Sequence, residues 1–171
     1  MRVAVQPARA RLVVQGELGQ RLDVCLIHLM TDAQWPTEFE RVRDELSELK
    51  EKGDVGAVGV SCHDFGALKV ASAHPWVDVI FARINYMGGS ENRCDGPADE
   101  VAAVLKTARR NGKAVVGMKI FGGGSLVTPE ERGASLQFVL GNDLVDATTI
   151  GMKSPTEVDD TLARMARVRA A

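Results

Sequence analysis

Residues 22 to 62 read LDVCLIHLMTDAQWPTEFERVRDELSELKEKGDVGAVGVSC. Two apolar runs, LDVCLIH at residues 22–28 and VGAVGVSC at residues 55–62, enclose a stretch with a different rhythm. In that stretch Phe39, Val42, Leu46 and Leu49 recur at steps of three and four, which marks one buried face of a helix. Thr37 and Glu40 have the spacing of a capping box at its start, and Gly53 suits the left-handed residue that ends it. The segment therefore reads as strand, helix, strand. The strands are apolar almost throughout rather than alternating, so both of their faces are covered. Such burial is typical of a parallel sheet clothed in helices.

The same unit recurs downstream. A short helix is expected at about residues 65–73, then a third apolar run, VDVIFARIN, at residues 77–85. The next helix begins near Pro97, buries Val101, Val104, Leu105 and Ala108, and ends at Gly112. AVVGMKI at residues 114–120 is the fourth run. Thr128, Pro129 and Glu131 then supply a cap, a first-turn proline and a capping box. VDATTIG at residues 145–151 is the fifth run. Ser154, Pro155 and Glu157 repeat the helix-start signal, and Val158, Leu162 and Met165 mark the inner face of the last helix. Five strand–helix units in series, joined by right-handed crossovers, leave an open doubly wound sheet or a barrel. No G-x-G-x-x-G follows the first strand, which weighs against a dinucleotide-binding sheet.

Composition narrows the class of function. The chain has 171 residues, with a net charge of −2. That charge offers no broad basic field for nucleic acid or anionic lipid, so neither nucleic acid nor membrane is expected as a partner. No stretch approaches the roughly 20 apolar residues of a membrane span. The first residues lack the compact apolar core of a secretory signal. Cys25, Cys62 and Cys94 are odd in number and widely spaced, which fits reduced thiols in a cytoplasmic protein better than a disulfide framework. No set of His, Cys and carboxylate residues has metal-ligand spacing, so no metal is expected.

Polar side chains gather where the strands end: His28; Ser61 with His63 and Asp64; Arg83 and Asn85; Lys119; Lys153 with Ser154. Active sites of parallel α/β folds open at that end. Plainer readings stand beside the functional ones. His28 closes an apolar strand, where a buried, hydrogen-bonded histidine would also fit. Asp64 suits a helix N-cap, with His63 as part of the helix entry. Arg83, inside an apolar strand, needs an anionic or carbonyl partner, whether a substrate, a cofactor or an internal carboxylate. Lys119 is flanked by apolar residues in the same way. Gly122, Gly123 and Gly124 permit positive φ and close backbone approach to a ligand. Gly151 to Ser154 leads into the free N–H groups of a helix start, where a phosphate could sit. His74 before Pro75 reads as structural, and Trp35 and Trp76 as packing anchors.

Four segments together resemble the aldo-keto reductase family. LGQRLDVCLIH is similar to the family's LGxxYxDLxLIH strand. LKEKGDVGAVGVSCHDFGAL is similar to the segment written GKIRAIGVSNF. ARRNGKAVVGMKIFGGG resembles ARERGIGVIAMKPLGGG, and VDATTIGMKSPTEVDDTLARM resembles VDVVIPGMSSPEQVEENL. The resemblance runs in order from Glu17 to Met165. It implies an incomplete (β/α)8 TIM-type barrel, namely strands four to eight with their helices, as one domain over residues 17–171. Residues 1–16 form an unmatched N-terminal segment.

By that resemblance His28 hydrogen-bonds a substrate carbonyl. Ser61, with Cys62 where asparagine is commoner, faces the nicotinamide carboxamide, and Asn85 falls at a family asparagine. Met118 packs on the nicotinamide ring, and Lys119 to Gly123 runs along the cofactor. Gly151, Met152, Lys153 and Ser154 hold the adenine-side phosphates, and Asp160 approaches the adenine. Arg83 and His63 stay open between substrate contact and structure. Glu157 stands near the place of an arginine that grips the 2′-phosphate of NADP, so NAD is favoured over NADP. The family's catalytic aspartate, tyrosine and lysine come from strands one to three, upstream of the matched region, and the single tyrosine here, Tyr86, does not replace the missing one.

Two functions follow. One is hydride transfer between a nicotinamide cofactor and a small carbonyl or alcohol, weakened or absent in this chain alone. The other is a truncated, non-catalytic nucleotide-binding or interaction module. Open sheet edges further imply self-association.

Overall fold

The computed structural model describes residues 21–170. The segment 1–16 and the first matched residues, 17–20, lie outside the described residues. Strand β1 spans Leu22–Met30, β2 Val55–Cys62, β3 Val79–Arg83, β4 Ala114–Met118 and β5 Ala147–Thr149. Helices α1 Glu40–Glu51, α2 Phe65–Ala73, α3 Ala98–Arg110, α4 Pro129–Gly141 and α5 Pro155–Ala170 follow them in turn. All neighbouring strands pair in parallel, in the order β1-β2-β3-β4-β5. A doubly wound sheet reverses its strand order at a switch point. Here the order never reverses, and successive staves step in one direction, as in a barrel that stops short of closure.

Register shows the same thing face by face. Leu26 pairs with Gly59, Gly59 with Val79, Val79 with Ala114, and four residues further on Arg83 pairs with Met118 and Met118 with Thr149. Side chains alternate along a strand, so Val24, Leu26, His28, Ser61, Phe81, Arg83, Val116 and Met118 share one face. Ile27, Val58, Val60, Ile80, Ala82 and Val115 share the other, under the helices, and are at most 6% exposed. The first face is covered only towards its middle: Ser61 is buried, Phe81 and Val116 are half-buried, and Val24 is 42% exposed. One apolar face is therefore sealed and the inward face of the staves lies partly open. Gly59 lets two staves close up, because a methyl group there would lie 1.8 Å from the Val79 carbonyl oxygen.

The N-terminal ends of the strands are stitched together by side chains. Asp78 Oδ2 accepts from Val58 N of β2 at 2.9 Å and from Lys50 Nζ of α1 at 2.5 Å. Asp146 repeats the device two pairs later, accepting from Val115 N of β4 at 2.7 Å and from Arg109 of α3 at 2.9 Å. Between them Lys113, buried ahead of β4, donates to the carbonyls of His74 and Val77 at 2.7 and 2.9 Å.

Three local expectations need correction. The box between Thr37 and Glu40 does not form. Pro36 opens a single helical turn at Trp35–Glu38, anchored by the buried Trp35 ring, and the chain breaks at Phe39 before α1 begins. Leu162 is 58% exposed. The buried stripe of α5 runs instead through Val158, Thr161, Met165 and Val168, a more regular 3-4-3 spacing. The third and fifth runs are shorter as strands than their apolar length suggests: only Val79–Arg83 and Ala147–Thr149 are strand, and the stitching carboxylates of Asp78 and Asp146 stand just ahead of them.

Other start signals behave as expected. Asp64 Oδ1 caps α2 through Ala67 N at 2.9 Å. Thr128 and Glu131 form a full capping box on α4. Gly53 and Gly112 take positive φ beyond α1 and α3.

Candidate functional site

Because every strand runs the same way, His28, Ser61, Arg83, Met118 and the Gly151–Ser154 turn all lie at the C-terminal rim. Beta1 arrives there through a bulge. Its register with β2 slips between Ile27 and Met30, and Leu29 takes φ +68°. A bulge re-aims the side chains beside it. Met30 is consequently fully buried, while Leu29 and His28 are exposed. The reading of His28 as a buried histidine is thus overturned. Its ring meets that of His63 edge to face, with centroids 5.8 Å apart.

His63 leaves β2 with its N–H donated to Met30 O at 2.8 Å. Its Nε2 is shut off from water without a hydrogen-bond partner, and so is Oγ of Ser61, two residues earlier. Burial, then the positive charges of Arg83, His28 and Lys119, hold the His63 imidazole below its usual pKa. It is neutral at neutral pH, with one ring nitrogen able to accept.

Arg83 finds an internal partner. Nε donates to Asp95 Oδ1 at 2.7 Å, the Arg83 N–H to Asp95 Oδ2 at 3.0 Å, and Nη2 to the His63 carbonyl at 2.6 Å. The guanidinium is thus a brace beneath the rim that ties the β3 loop to the end of β2. Asp95 was not singled out by sequence, although a buried arginine called for a carboxylate. Burial pushes Asp95 up to about 6, against the pull of its bonds to Arg83.

Asn85 is fully buried and its amide is filled. Nδ2 donates to Asn92 O at 2.7 Å and Lys119 O at 3.3 Å, and Oδ1 accepts from the N–H groups of Met87 and Gly88 at 3.2 and 3.1 Å. It staples the β3 loop to the turn after β4 and has no capacity left for a cofactor amide. Cys62 is also turned away. It lies fully buried among the helix-side core residues, with its thiol pKa raised well above normal by burial and then by Asp95 and Asp64.

Met118 is half-buried on the inward face at the end of β4. Lys119 follows in a left-handed conformation, φ +58°, and Gly122, Gly123 and Gly124 continue it with φ of +60°, +68° and +104°. Lys119 is exposed. Of the four non-glycine residues with positive φ among the described residues, Leu29, Arg93 and Lys119 sit at this rim, and Asp143 lies at the other end. Backbone strain of this kind gathers at functional sites.

Gly151, Met152, Lys153 and Ser154 are all exposed beyond β5. Ser154 Oγ accepts from Glu157 N at 3.2 Å, and Glu157 Oε2 accepts from Lys153 N at 2.7 Å. Glu157 also lies 3.8 Å from Arg132, whose guanidinium stacks 5.5 Å from the Phe121 ring. Arg132 thereby links the β5 turn to the glycine loop. Asp160, whose pKa is lowered chiefly by its bond to Arg164, pairs with that residue at 2.8 Å.

A cavity of ≈ 680 Å³ lies elsewhere, at the stitched end between α3 and β4. Of its cations, Arg109 pairs with Asp143 and Asp146, and Lys113 caps carbonyls. Among the described residues no group of three or more His, Cys, Asp or Glu is placed to hold a metal ion. No helix among them is long and apolar enough to cross a membrane.

Comparison with known proteins fits this geometry. Residues 17–169 match the model of the Aldo/keto reductase family. A structure described as an aldo-keto reductase from Pseudomonas aeruginosa superposes with a TM-score of 0.74 at 21% identity, over 96% of this chain and 61% of its own. The holo form of an aldo-keto reductase from Bacillus halodurans gives 0.68 at 16% identity, over 95% and 63%. A glycerol dehydrogenase from Gluconobacter oxydans gives 0.55 at 15% identity, over 95% and 65%. At these identities the structures establish the fold, an incomplete (β/α)8 barrel, and the chain spans about three-fifths of their length. No curated protein sequence matches it.

Proposed function

The chain belongs to the aldo/keto reductase family, and from that premise we propose that it forms the cofactor-side part of an oxidoreductase that interconverts a small carbonyl compound and its alcohol. A bound nicotinamide would supply or accept the hydride. The chain's own residues do the positioning. His28, exposed on the inward face, donates an imidazole N–H to the carbonyl oxygen and polarises it. Met118 offers a thioether on which a flat ring can pack. The observation that carries the reading is the unpartnered Oγ of Ser61 together with the unpartnered Nε2 of His63, two residues on. Buried polar atoms without partners are rare, and an amide group laid at this rim would satisfy both.

Lys119, Gly122 and Gly123 then run beside the diphosphate, and Gly151, Met152, Lys153 and Ser154 beside the adenine-side phosphate, with Asp160 nearer the adenine. Cys62 and Asn85 drop out of the contact set, because one faces the helices and the other is saturated. Glu157 is fixed by its bond to Lys153 N, and its charge repels a 2′-phosphate, so NAD is preferred over NADP. The reaction further needs a principal proton donor, which the residues named here do not supply. The free thiols of Cys25, Cys62 and Cys94 suit a reducing, cytoplasmic setting.

Titrating the chain with NADH and NADPH by nicotinamide fluorescence, followed by a carbonyl panel, tests this. Binding with NADH preferred is expected, and His28→Ala should lower any turnover about 10²-fold without weakening NADH. Failure to bind either nucleotide defeats the proposal. Binding with no turnover supports the second reading, a nucleotide-binding module, which the half-open inward face also favours.

A further inference from the structure

The base of the sheet gathers positive charge on a chain whose net charge is −2. Lys106, Arg109, Arg110 and Lys113 line the cavity between α3 and β4 with only Asp143 and Asp146 against them, an excess of two positive charges. Both acids are engaged by Arg109, and Asp146 also accepts from Val115 N. The excess therefore rests on the other three cations. Lys106 and Arg110 are exposed, one turn apart on the same face of α3. Neither has an ion-pair partner among the described residues, and Arg110 reaches only the Thr107 hydroxyl, at 2.9 Å. Like charges at that spacing repel. Lys113 is 7% exposed, and its ammonium donates to two carbonyls, with no carboxylate in ion-pair range among the described residues. Burial lowers its pKa, with Asp78 pulling the other way. A helix dipole favours cations in the last turn. That accounts for Arg109 and Arg110 but not for Lys113, which lies beyond the helix and is buried without a counter-charge.

We propose that this cavity is a second binding site, for a small organic dianion. At ≈ 680 Å³ it has the size of a small-molecule site rather than that of a bare ion. Arg110 offers a planar fork to an anionic oxygen pair, and Lys106 and Lys113 offer point charges. Gly112, Ala114 and Asn142 supply uncharged wall for the body of the ligand. That wall is open at Gly112, where a methyl group would meet no atom within 4 Å. Two sources share the chemistry, a dicarboxylate and a phosphate monoester. The site lies at the end of the strands opposite His28, and it needs neither a nicotinamide nor the function proposed above.

Titration calorimetry of the 171-residue chain with succinate and with glucose 6-phosphate tests this. The variants are Lys106→Gln, Arg110→Gln and, as a control of equal charge change at the end of α1, Lys52→Gln. At least one probe should bind. Lys106→Gln and Arg110→Gln should each weaken it about tenfold, while Lys52→Gln leaves it unchanged. All three side chains are exposed, so circular dichroism should stay the same. Succinate binding alone makes the ligand a dicarboxylate, and glucose 6-phosphate binding alone makes it a phosphate monoester. A chain that binds either probe with these losses but no NADH keeps this site and defeats the function proposed above. Displacement of the probe by NADH places it at the rim and overturns the proposal. So do equal losses in all three variants, undiminished binding by Lys106→Gln or Arg110→Gln, or no binding of either probe up to roughly 10 mM.

Discussion

Arg83 and Asp95 show what one residue contributes beneath the rim. A carboxylate with no side-chain exposure is costly to ionise, and here burial outweighs the bonds from Arg83, so its pKa is raised to about 6. A carboxyl group held above its unfolded value binds its proton more tightly in the folded chain. Its stabilising contribution is full below pH ~4 and is lost as pH rises through ~6. Asp95→Asn should remove that dependence. Between pH ~4 and ~6 the unaltered chain should lose on the order of 2 to 3 kcal/mol more stability than the variant, as read from urea midpoints across pH. Equal slopes for the two proteins would refute the assignment.

Sequence inspection recognised that Arg83 needed an anion but not which one. The partner lies twelve residues on, in a loop with no periodicity, and only tertiary packing selects Asp95 over Glu91. His63 was read as a helix-entry residue with an open role. That its ring is left without a partner follows from the Leu29 bulge, and no local pattern announces a bulge that is not built on glycine.

Among the elements, the strand–helix alternation was legible because apolar runs and 3.6-residue stripes are local signals. Beta2 and α2 occupy the expected residues, and the caps at Asp64 and Thr128 form as written. Boundaries failed where side chains competed with the ladder. Asp78 and Asp146, just ahead of β3 and β5, turn their carboxylates back to N–H groups of the neighbouring strand. Pro36 moved the first helical start upstream of the Thr37 signal.

The loop after β3 depends on one buried amide rather than on a core of its own. Asn85→Ala strands two N–H groups and two carbonyls inside the protein. It should cost about 2–4 kcal/mol by denaturant unfolding and make the Met87–Pro97 loop sensitive to limited proteolysis. A change below about 0.5 kcal/mol would mean that the staple is dispensable.

At the scale of the whole molecule, the helix side is sealed and the inward side is not. Val24 is 42% exposed, with Leu26, Phe81 and Val116 half-buried beside it, and β1 and β5 bound the sheet among the described residues. An apolar face of this kind, next to unpaired strand edges, associates. The 171-residue chain on its own is expected to sediment as dimers or larger species at micromolar concentration, and Val24→Lys should shift it towards monomer. A stable monomer of the unaltered chain would contradict this. The openness was readable only indirectly, from a family resemblance covering part of a barrel; the individual strands look as buried as those of a closed one.

The stitches at the base carry a mechanical consequence. Asp78, Lys113 and Asp146 lash each of the last three staves to the one before it, all at the same end. At the opposite end Arg83 holds β3 to the end of β2, and Asn85 holds it to the turn after β4. The middle of the sheet is thus pinned at both ends. Motion is left chiefly to the outer staves, and the bulged β1 can widen or narrow the mouth where His28 faces His63.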